Sequence, residues 1–253
     1  MIRLKDFSIG YEGRILLDKV DTIFDKGRLT ALIGRNGSGK STLLRAIAGL
    51  NSRYKGNILI DGHDISAMSA PHLARTLAFV TTERTRIPNL RCEDVVAIGR
   101  APYTNWIGRM QEEDREAVMN SISAVGMEAY ARRTMDTMSD GECQRIMIAR
   151  ALAQDTPAIL LDEPTSFLDM PSRYELVALL RDLAHERGKC IIFSTHELDI
   201  ALQMCDDIAL VDNGTLRHLP AREMAEGGYI ERLFDISGIN PDFMKFAQSR
   251  FYC

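Results

Sequence analysis

The densest chemical signal in the chain is the stretch Gly34-Arg35-Asn36-Gly37-Ser38-Gly39-Lys40-Ser41-Thr42. It has the spacing Gly, four residues, Gly, Lys, Ser/Thr. Leu29 to Ile33 lead into it as a short apolar run, and Leu43, Leu44, Ile47 and Ala48 follow at helical spacing. The sequence therefore predicts a strand that turns through a glycine-rich loop into a helix. Glycines let backbone N–H groups close around phosphate oxygens, and a helix start adds partial positive charge. Lys40 is positioned to reach terminal phosphates, and the Ser41 hydroxyl to take a Mg²⁺ position. A nucleoside triphosphate site is the working expectation.

Two more buried-looking runs end in polar residues. Ala158 to Leu161 ends in Asp162-Glu163, and Cys190 to Phe193 ends in Ser194-Thr195-His196. Open parallel sheets bind ligands at the carboxyl ends of their strands, so these endings and the phosphate loop are expected to converge on one crevice. Hydrolysis then assigns the roles. Asp162 holds Mg²⁺ directly or through water. Glu163 orients or deprotonates the attacking water. His196 contacts the γ-phosphate. Tyr11 is either an adenine-stacking ring or an ordinary turn tyrosine, and the spacing leaves both open. Asp169 either caps the next helix, the safer reading, or reaches another subunit. In Met138-Ser139-Asp140-Gly141-Glu142 the residues Ser139 and Glu142 have capping-box spacing, which marks a helix start and a second helix N-terminus that a phosphate could use.

The elements that must position these groups form an α/β chain of 253 residues, long enough for one large domain with a subdomain. Residues 2 to 33 are β-rich, with Gly10-Tyr11-Glu12-Gly13 expected as a turn, and Gly56 to Gly62 bounds another strand. From about 85 to 155 helical periodicity takes over. Gln111 to Val125 is an amphipathic helix with Ala117, Val118, Ile122 and Val125 on one side, and Gly99 to Trp106 is a loop carrying the only Trp. After 157 the α/β rhythm resumes, with a helix over Ser172 to Arg187, Gly188 at its end and a hairpin at Asn213-Gly214. About 1–84 and 156–220 are expected to form the nucleotide-binding core, about 85–155 a helical subdomain, and about 221–253 a tail without a legible motif. The content of 45% hydrophobic and 26% charged residues supports a packed core. The net charge of −4 argues against nucleic-acid binding through bulk positive charge. Five scattered cysteines have no metal-ligand spacing and suit a reduced compartment. Met1 to Asp6 has no signal-peptide shape, and no apolar run approaches the about 20 residues a membrane span needs.

Taken in order, these residues resemble the ATP-binding cassette family over most of the chain. Gly34 to Thr42 is similar to its Walker A motif and Ile159 to Glu163 to its Walker B with the catalytic glutamate. Ser139-Asp140-Gly141-Glu142 is similar to its signature, Ser166-Phe167-Leu168-Asp169 to its D-loop, and His196 to its switch histidine. The resemblance puts Tyr11 on the adenine-stacking aromatic. Val95 to Tyr103 resembles the iron-chelate, haem and vitamin B12 importer branch. It implies a P-loop NTPase core with an N-terminal antiparallel β part and an inserted helical subdomain. It also implies ATP and Mg²⁺ as cofactors and a head-to-tail dimer in which Lys40, Glu163 and His196 of one copy work with Ser139 and Gly141 of the other. Closure and reopening would drive a separate permease at the cytoplasmic face of the inner membrane, with a substrate-binding protein as indirect partner. An exporter ATPase, a soluble non-transport cassette and a phosphate-loop kinase are the alternatives. The chain has no coiled-coil insert or second cassette for the soluble class, and a kinase would leave the signature without a role.

Two departures from the family pattern stand out. Where a glutamine is usual after Leu77 to Val80, the chain has Thr81-Thr82-Glu83, so that Thr82 or Glu83 takes its place near the metal. Where Ser-Gly-Gly-Gln is usual, Asp140 and Glu142 add two carboxylates. A carboxylate about 4 Å from a phosphate charge costs about 1 kcal/mol in water and more where water is excluded. Both side chains are therefore expected to turn away from the nucleotide, Glu142 by closing the capping box on Ser139.

Overall fold

The computed structural model describes residues 1–11, 13–82, 88–104 and 109–230. In chain order its elements are β1 Ile2–Tyr11, β2 Arg14–Phe24, β3 Arg28–Gly34, α1 Lys40–Ile47, β4 Tyr54–Ile60 and β5 His63–Asp64. Next come α2 Ala70–Thr76, β6 Leu77–Val80, α3 Cys92–Ala97, α4 Glu112–Ala124, α5 Asp140–Ala153 and β7 Ala158–Leu161. The last are α6 Met170–Arg187, β8 Cys190–Ser194, α7 Leu198–Met204, β9 Asp207–Asp212, β10 Thr215–Pro220 and α8 Ala221–Glu226. The chain divides into two compact units, one of Met1–Met68 with the residues from Leu180 on, the other Ser69–Leu179.

The first unit holds an antiparallel sheet in the order β2-β1-β4-β5. In the same unit β3 lies between β8 and β9, parallel to both, and β10 pairs antiparallel with β9. Leu29 through Gly34 are all buried, as a central parallel strand covered on both faces requires. Asn213 and Gly214 join β9 to β10 with φ of 43° and 82°, the backbone of a two-residue type I′ turn. The turn expected at Gly10 to Gly13 is shorter than that. Gly10 and Tyr11 remain in the ladder, opposite Ile15 and Arg14. Close approach explains this, because a Cβ on Gly10 would stand 2.3 Å from the Arg14 carbonyl oxygen.

In the second unit β6 and β7 pair in parallel, Val80 opposite Leu161. Helix α4 forms where the periodicity places it and buries Val118 and Ile122. Its start is fastened to the end of α5 by Arg100. The guanidinium donates to Asp114 Oδ1 at 2.9 Å and to the Ala153 carbonyl at the end of α5, also at 2.9 Å. The Gln111 N–H and then Arg100 hold the Asp114 carboxyl below its ordinary value. A Cβ on Gly99 would lie 2.2 Å from the Arg150 carbonyl oxygen, so this position needs glycine for α5 to approach. The stretch Val95 to Tyr103 thus packs α3 against α5. Trp106, expected in its loop, lies outside the described residues, as do the tail beyond 230 and Glu12. Helix α6 starts two residues before the expected Ser172, buries Leu176, Leu180, Leu183 and Ala184, and is followed by Gly188 at φ 61°. The motif-free stretch after 220 opens with α8.

Candidate active site

The phosphate loop leaves the end of β3 and enters α1. Gly37 and Gly39 have φ of 74° and 110°, which side-chain-bearing residues rarely adopt. A Cβ on Gly39 would also stand 3.1 Å from Leu16 Cβ, so β2 packs directly beneath the loop. Lys40 opens α1 and is only 5% exposed. An ammonium buried this deeply needs acceptors. Lys40 Nζ donates to the carbonyls of Gly34 at 2.9 Å and Arg35 at 3.3 Å. The Ser38 N–H donates to Arg35 O at 3.1 Å and the Leu43 N–H to Gly39 O at 2.8 Å, which closes the loop and starts the helix. Ser38 Oγ is buried without a hydrogen-bond partner among the described residues. A buried hydroxyl without a partner costs about 1–3 kcal/mol, and a phosphate oxygen would satisfy it. Arg35, Asn36, Gly37 and Ser41 are exposed and Thr42 half-buried, so the rim of the loop is open to a ligand.

In the same unit, β8 runs beside β3 with Ser194 opposite Leu32. The Thr195 N–H donates to Leu32 O at 3.1 Å, extending the ladder one residue beyond β8. Thr195 Oγ1 accepts the Glu197 N–H at 3.1 Å, where α7 begins. His196 sits between them with an exposed side chain. The phosphate loop and His196 therefore leave the same edge of two adjacent parallel strands, where such sheets place their ligands. Tyr11 ends β1, is 48% exposed, and its hydroxyl accepts from Asn51 Nδ2 at 3.3 Å.

In the second unit the ends of β6 and β7 carry the other predicted residues. Asp162 is buried, and its N–H donates to Val80 O at 2.9 Å. Thr82 Oγ1 donates to the Asp162 carbonyl at 2.9 Å, so Thr82 braces the strand end that carries Asp162. Glu83 lies outside the described residues. Glu163 has φ of 46°, a strain of about 1–3 kcal/mol that functional turns often hold. Ser166 Oγ donates to Glu163 Oε2 at 3.0 Å. No periodicity marks this contact, and sequence reasoning passed over Ser166 except as part of the D-loop. Asp169 Oδ1 accepts the Ser172 N–H at 3.0 Å, the capping role expected of it, and the Ser172 hydroxyl, then this N–H, pull its carboxyl below the usual range.

The signature stretch starts α5 with the expected capping box. Glu142 Oε2 accepts the Ser139 N–H at 2.8 Å, and the Glu142 N–H donates to Ser139 Oγ at 3.3 Å. The Ser139 N–H lowers the Glu142 pKa, so the carboxylate is ionised and folded back on its own helix start. Gly141 packs against Leu168, whose Cδ2 would be 3.1 Å from an added Cβ. Ser41 in the first unit and Asp162 in the second each offer hard oxygen, the ligand type that Mg²⁺ takes, and the phosphate loop suits a polyphosphate.

The family model described as ABC transporter matches residues 17–166. The achromobactin transport ATP-binding protein of Dickeya dadantii is 37% identical over 214 residues, covering 85% of this chain and 80% of that protein. The iron(3+)-hydroxamate import ATP-binding protein of Bacillus subtilis is 32% identical over 233 residues, covering 92% of this chain and 87% of that one. Among solved structures, a bacterial ABC transporter cassette solved as a dimer superposes with a TM-score of 0.77 at 28% identity, covering 87% of this chain and 99% of that one. The match spans the phosphate loop, the signature, Asp162 and Glu163, and with it the chain belongs to the ABC transporter family.

Proposed function

We propose that this chain is the ATP-hydrolysing subunit of an importer for an iron chelate or cobalamin. The observation that carries the hydrolytic part is Lys40, a buried ammonium held on loop carbonyls at a helix start, beside the unpartnered Ser38 hydroxyl. In this reading Gly34 to Thr42 wrap the phosphates, Tyr11 stacks on adenine, and Ser41 with Asp162 holds Mg²⁺, braced by Thr82. The metal's role is to neutralise charge on the β- and γ-phosphates. Glu163 orients the attacking water and accepts its proton, and His196 contacts the γ-phosphate. Ser139 and Gly141 serve the nucleotide of a second copy, with Asp169 at the seam. The dimeric cassette among the structural relatives supports that pairing.

No helix among the described residues is long and apolar enough to cross a membrane. In this reading a separate permease carries the cargo. The protein would sit at the cytoplasmic face of the inner membrane, with a substrate-binding protein as indirect partner. The importer assignment is supported by the iron(3+)-hydroxamate and achromobactin relatives and by the Val95 to Tyr103 segment. The test is to isolate the permease complex and measure its ATPase rate with candidate cargoes. Stimulation by a ferric chelate or cobalamin is expected. A rate that responds to neither, in a complex that hydrolyses ATP, would overturn the cargo assignment.

A further inference from the structure

Helix α1 begins at the phosphate loop, and its far end is closed by a Schellman turn. The Gly49 N–H donates to Ala46 O at 3.0 Å and the Leu50 N–H to Arg45 O at 2.9 Å, with Gly49 at φ 72°. The turn fixes the direction in which the chain leaves the helix, and Asn51 follows it directly. The Asn51 amide is held at both ends. The Arg53 N–H donates to Asn51 Oδ1 at 3.0 Å, and Asn51 Nδ2 donates to the Tyr11 hydroxyl at 3.3 Å. A backbone N–H can only donate, so the first bond decides which end of the amide is oxygen and turns the NH2 toward the tyrosine. The helix itself is anchored by Leu43, Leu44, Ala46 and Ile47, all buried. The phosphate loop and the Tyr11 hydroxyl are thus joined through one helix and one side chain.

We propose that Asn51 is a positioning residue for Tyr11, which sets the ring relative to the phosphate loop so that a nucleotide held by its phosphates meets a base platform already in place. The inference rests on the reading of Tyr11 as the adenine-stacking ring. Tyr11 closes β1 opposite Arg14 and is 48% exposed, so packing restrains only part of its side chain. Stacking needs an offset, near-parallel arrangement of rings, and a ring that must first be ordered subtracts that cost from the affinity. A bond at the hydroxyl, the far end of the ring, fixes the direction of the ring axis, which χ1 sets. The effect falls on the base, and neither on the phosphates nor on the chemical step. That separates Asn51 from a residue that only supports the fold.

The test is calorimetric titration of the full chain with ATP and, separately, with inorganic tripolyphosphate, which has no base. Asn51→Ala is expected to weaken ATP binding about threefold, the worth of one exposed neutral hydrogen bond, and to leave tripolyphosphate binding and kcat at saturating ATP within about twofold. Tyr11→Phe, which keeps the ring and loses the hydroxyl, should lose the same about threefold. The double variant should be no weaker than either single one, since both remove one bond. Asn51→Asp, whose carboxylate can accept from the Arg53 N–H and from the Tyr11 hydroxyl, should recover most of the affinity. Tyr11→Ala, which removes the platform, should lose about tenfold or more. If Tyr11→Ala weakens ATP binding while Asn51→Ala and Tyr11→Phe bind it as wild type does, the inference alone is overturned. It is overturned as well if Asn51→Ala weakens ATP and tripolyphosphate equally, or if its loss multiplies in full with that of Tyr11→Phe. Wild-type ATP affinity in Tyr11→Ala overturns the reading of Tyr11 and the inference with it.

Discussion

At Gly34–Thr42 a loop enters α1 with a buried lysine, two glycines in the left-handed region and a hydroxyl left without a partner. At Ser139–Glu142 a loop enters α5 with an ionised carboxylate bonded back on the N-cap residue and the N-cap hydroxyl bonded in return. Both are helix starts, and both carry the partial positive charge that attracts phosphate. The first leaves the Ser38 hydroxyl unsatisfied and carries a cation. The second satisfies the Ser139 and Glu142 N–H groups itself and supplies its own anion. A helix start is thus not by itself a phosphate site. What separates the two is the buried cation and open hydroxyl of the first against the closed box of the second. This asymmetry suits the proposed pairing of two copies, in which one helix start binds the nucleotide within its own chain and the other engages that of the second copy.

Several changes would break or sharpen this contrast. The largest effect belongs to Lys40→Ala, which removes the cation from the gripping side. ATP affinity should fall about 100-fold, from the loss of charge-assisted bonds worth about 3 kcal/mol, and calorimetric titration would read it. Unchanged affinity would erase the distinction between the two helix starts. Next in size are paired alanine substitutions. Gly39→Ala must adopt φ near 110° against Leu16 and should cost about 2 kcal/mol, or about 4–8 °C in Tm. Gly141→Ala is crowded by the flexible end of Leu168, with the Phe167 carbonyl oxygen at an ordinary 3.6 Å, and should cost less than about 1 kcal/mol. Equal losses would show that the two loops are equally constrained.

How much of this was legible beforehand follows from the range of each interaction. The phosphate loop, the runs that end in Asp162 and His196, the α4 boundaries, the Asn213-Gly214 hairpin and the Ser139–Glu142 box are local patterns, written in spacing over a few residues. The grip of Arg100 on Asp114 and Ala153, 14 and 53 residues away, is not periodic and leaves no trace in a window. Gly10 and Tyr11 read as a turn from composition, yet the glycine serves close strand approach. Ser166 is only three residues from Glu163, but its bond depends on the positive φ of Glu163, which sequence does not announce for a glutamate.

Smaller effects test the engaging side alone. Glu142→Gln keeps an acceptor for the Ser139 N–H while removing a negative charge from the helix start proposed to engage the second copy's nucleotide. ATP-dependent association should tighten about three- to tenfold, as expected from about 1 kcal/mol of relieved repulsion, and sedimentation would measure it. Weaker association would mean that the carboxylate helps to close the dimer. The smallest effect is on pH dependence. Because the Glu142 pKa is lowered in the folded chain, its contribution to stability is complete above the ordinary value of 4.5 and is lost as pH falls through the lower folded value. Urea midpoints of wild type and Glu142→Gln should therefore converge in acid, and a gap that widens there would contradict the capping role.

The central claim is that the two helix starts belong to one site built from two copies. Light scattering on Glu163→Gln, with and without ATP, tests it most directly, because a chain that binds without hydrolysing should accumulate in the closed form. The account predicts a monomer without nucleotide and a dimer with saturating ATP, abolished by adding Lys40→Ala. A Glu163→Gln chain that binds ATP and stays monomeric at every protein concentration would contradict it.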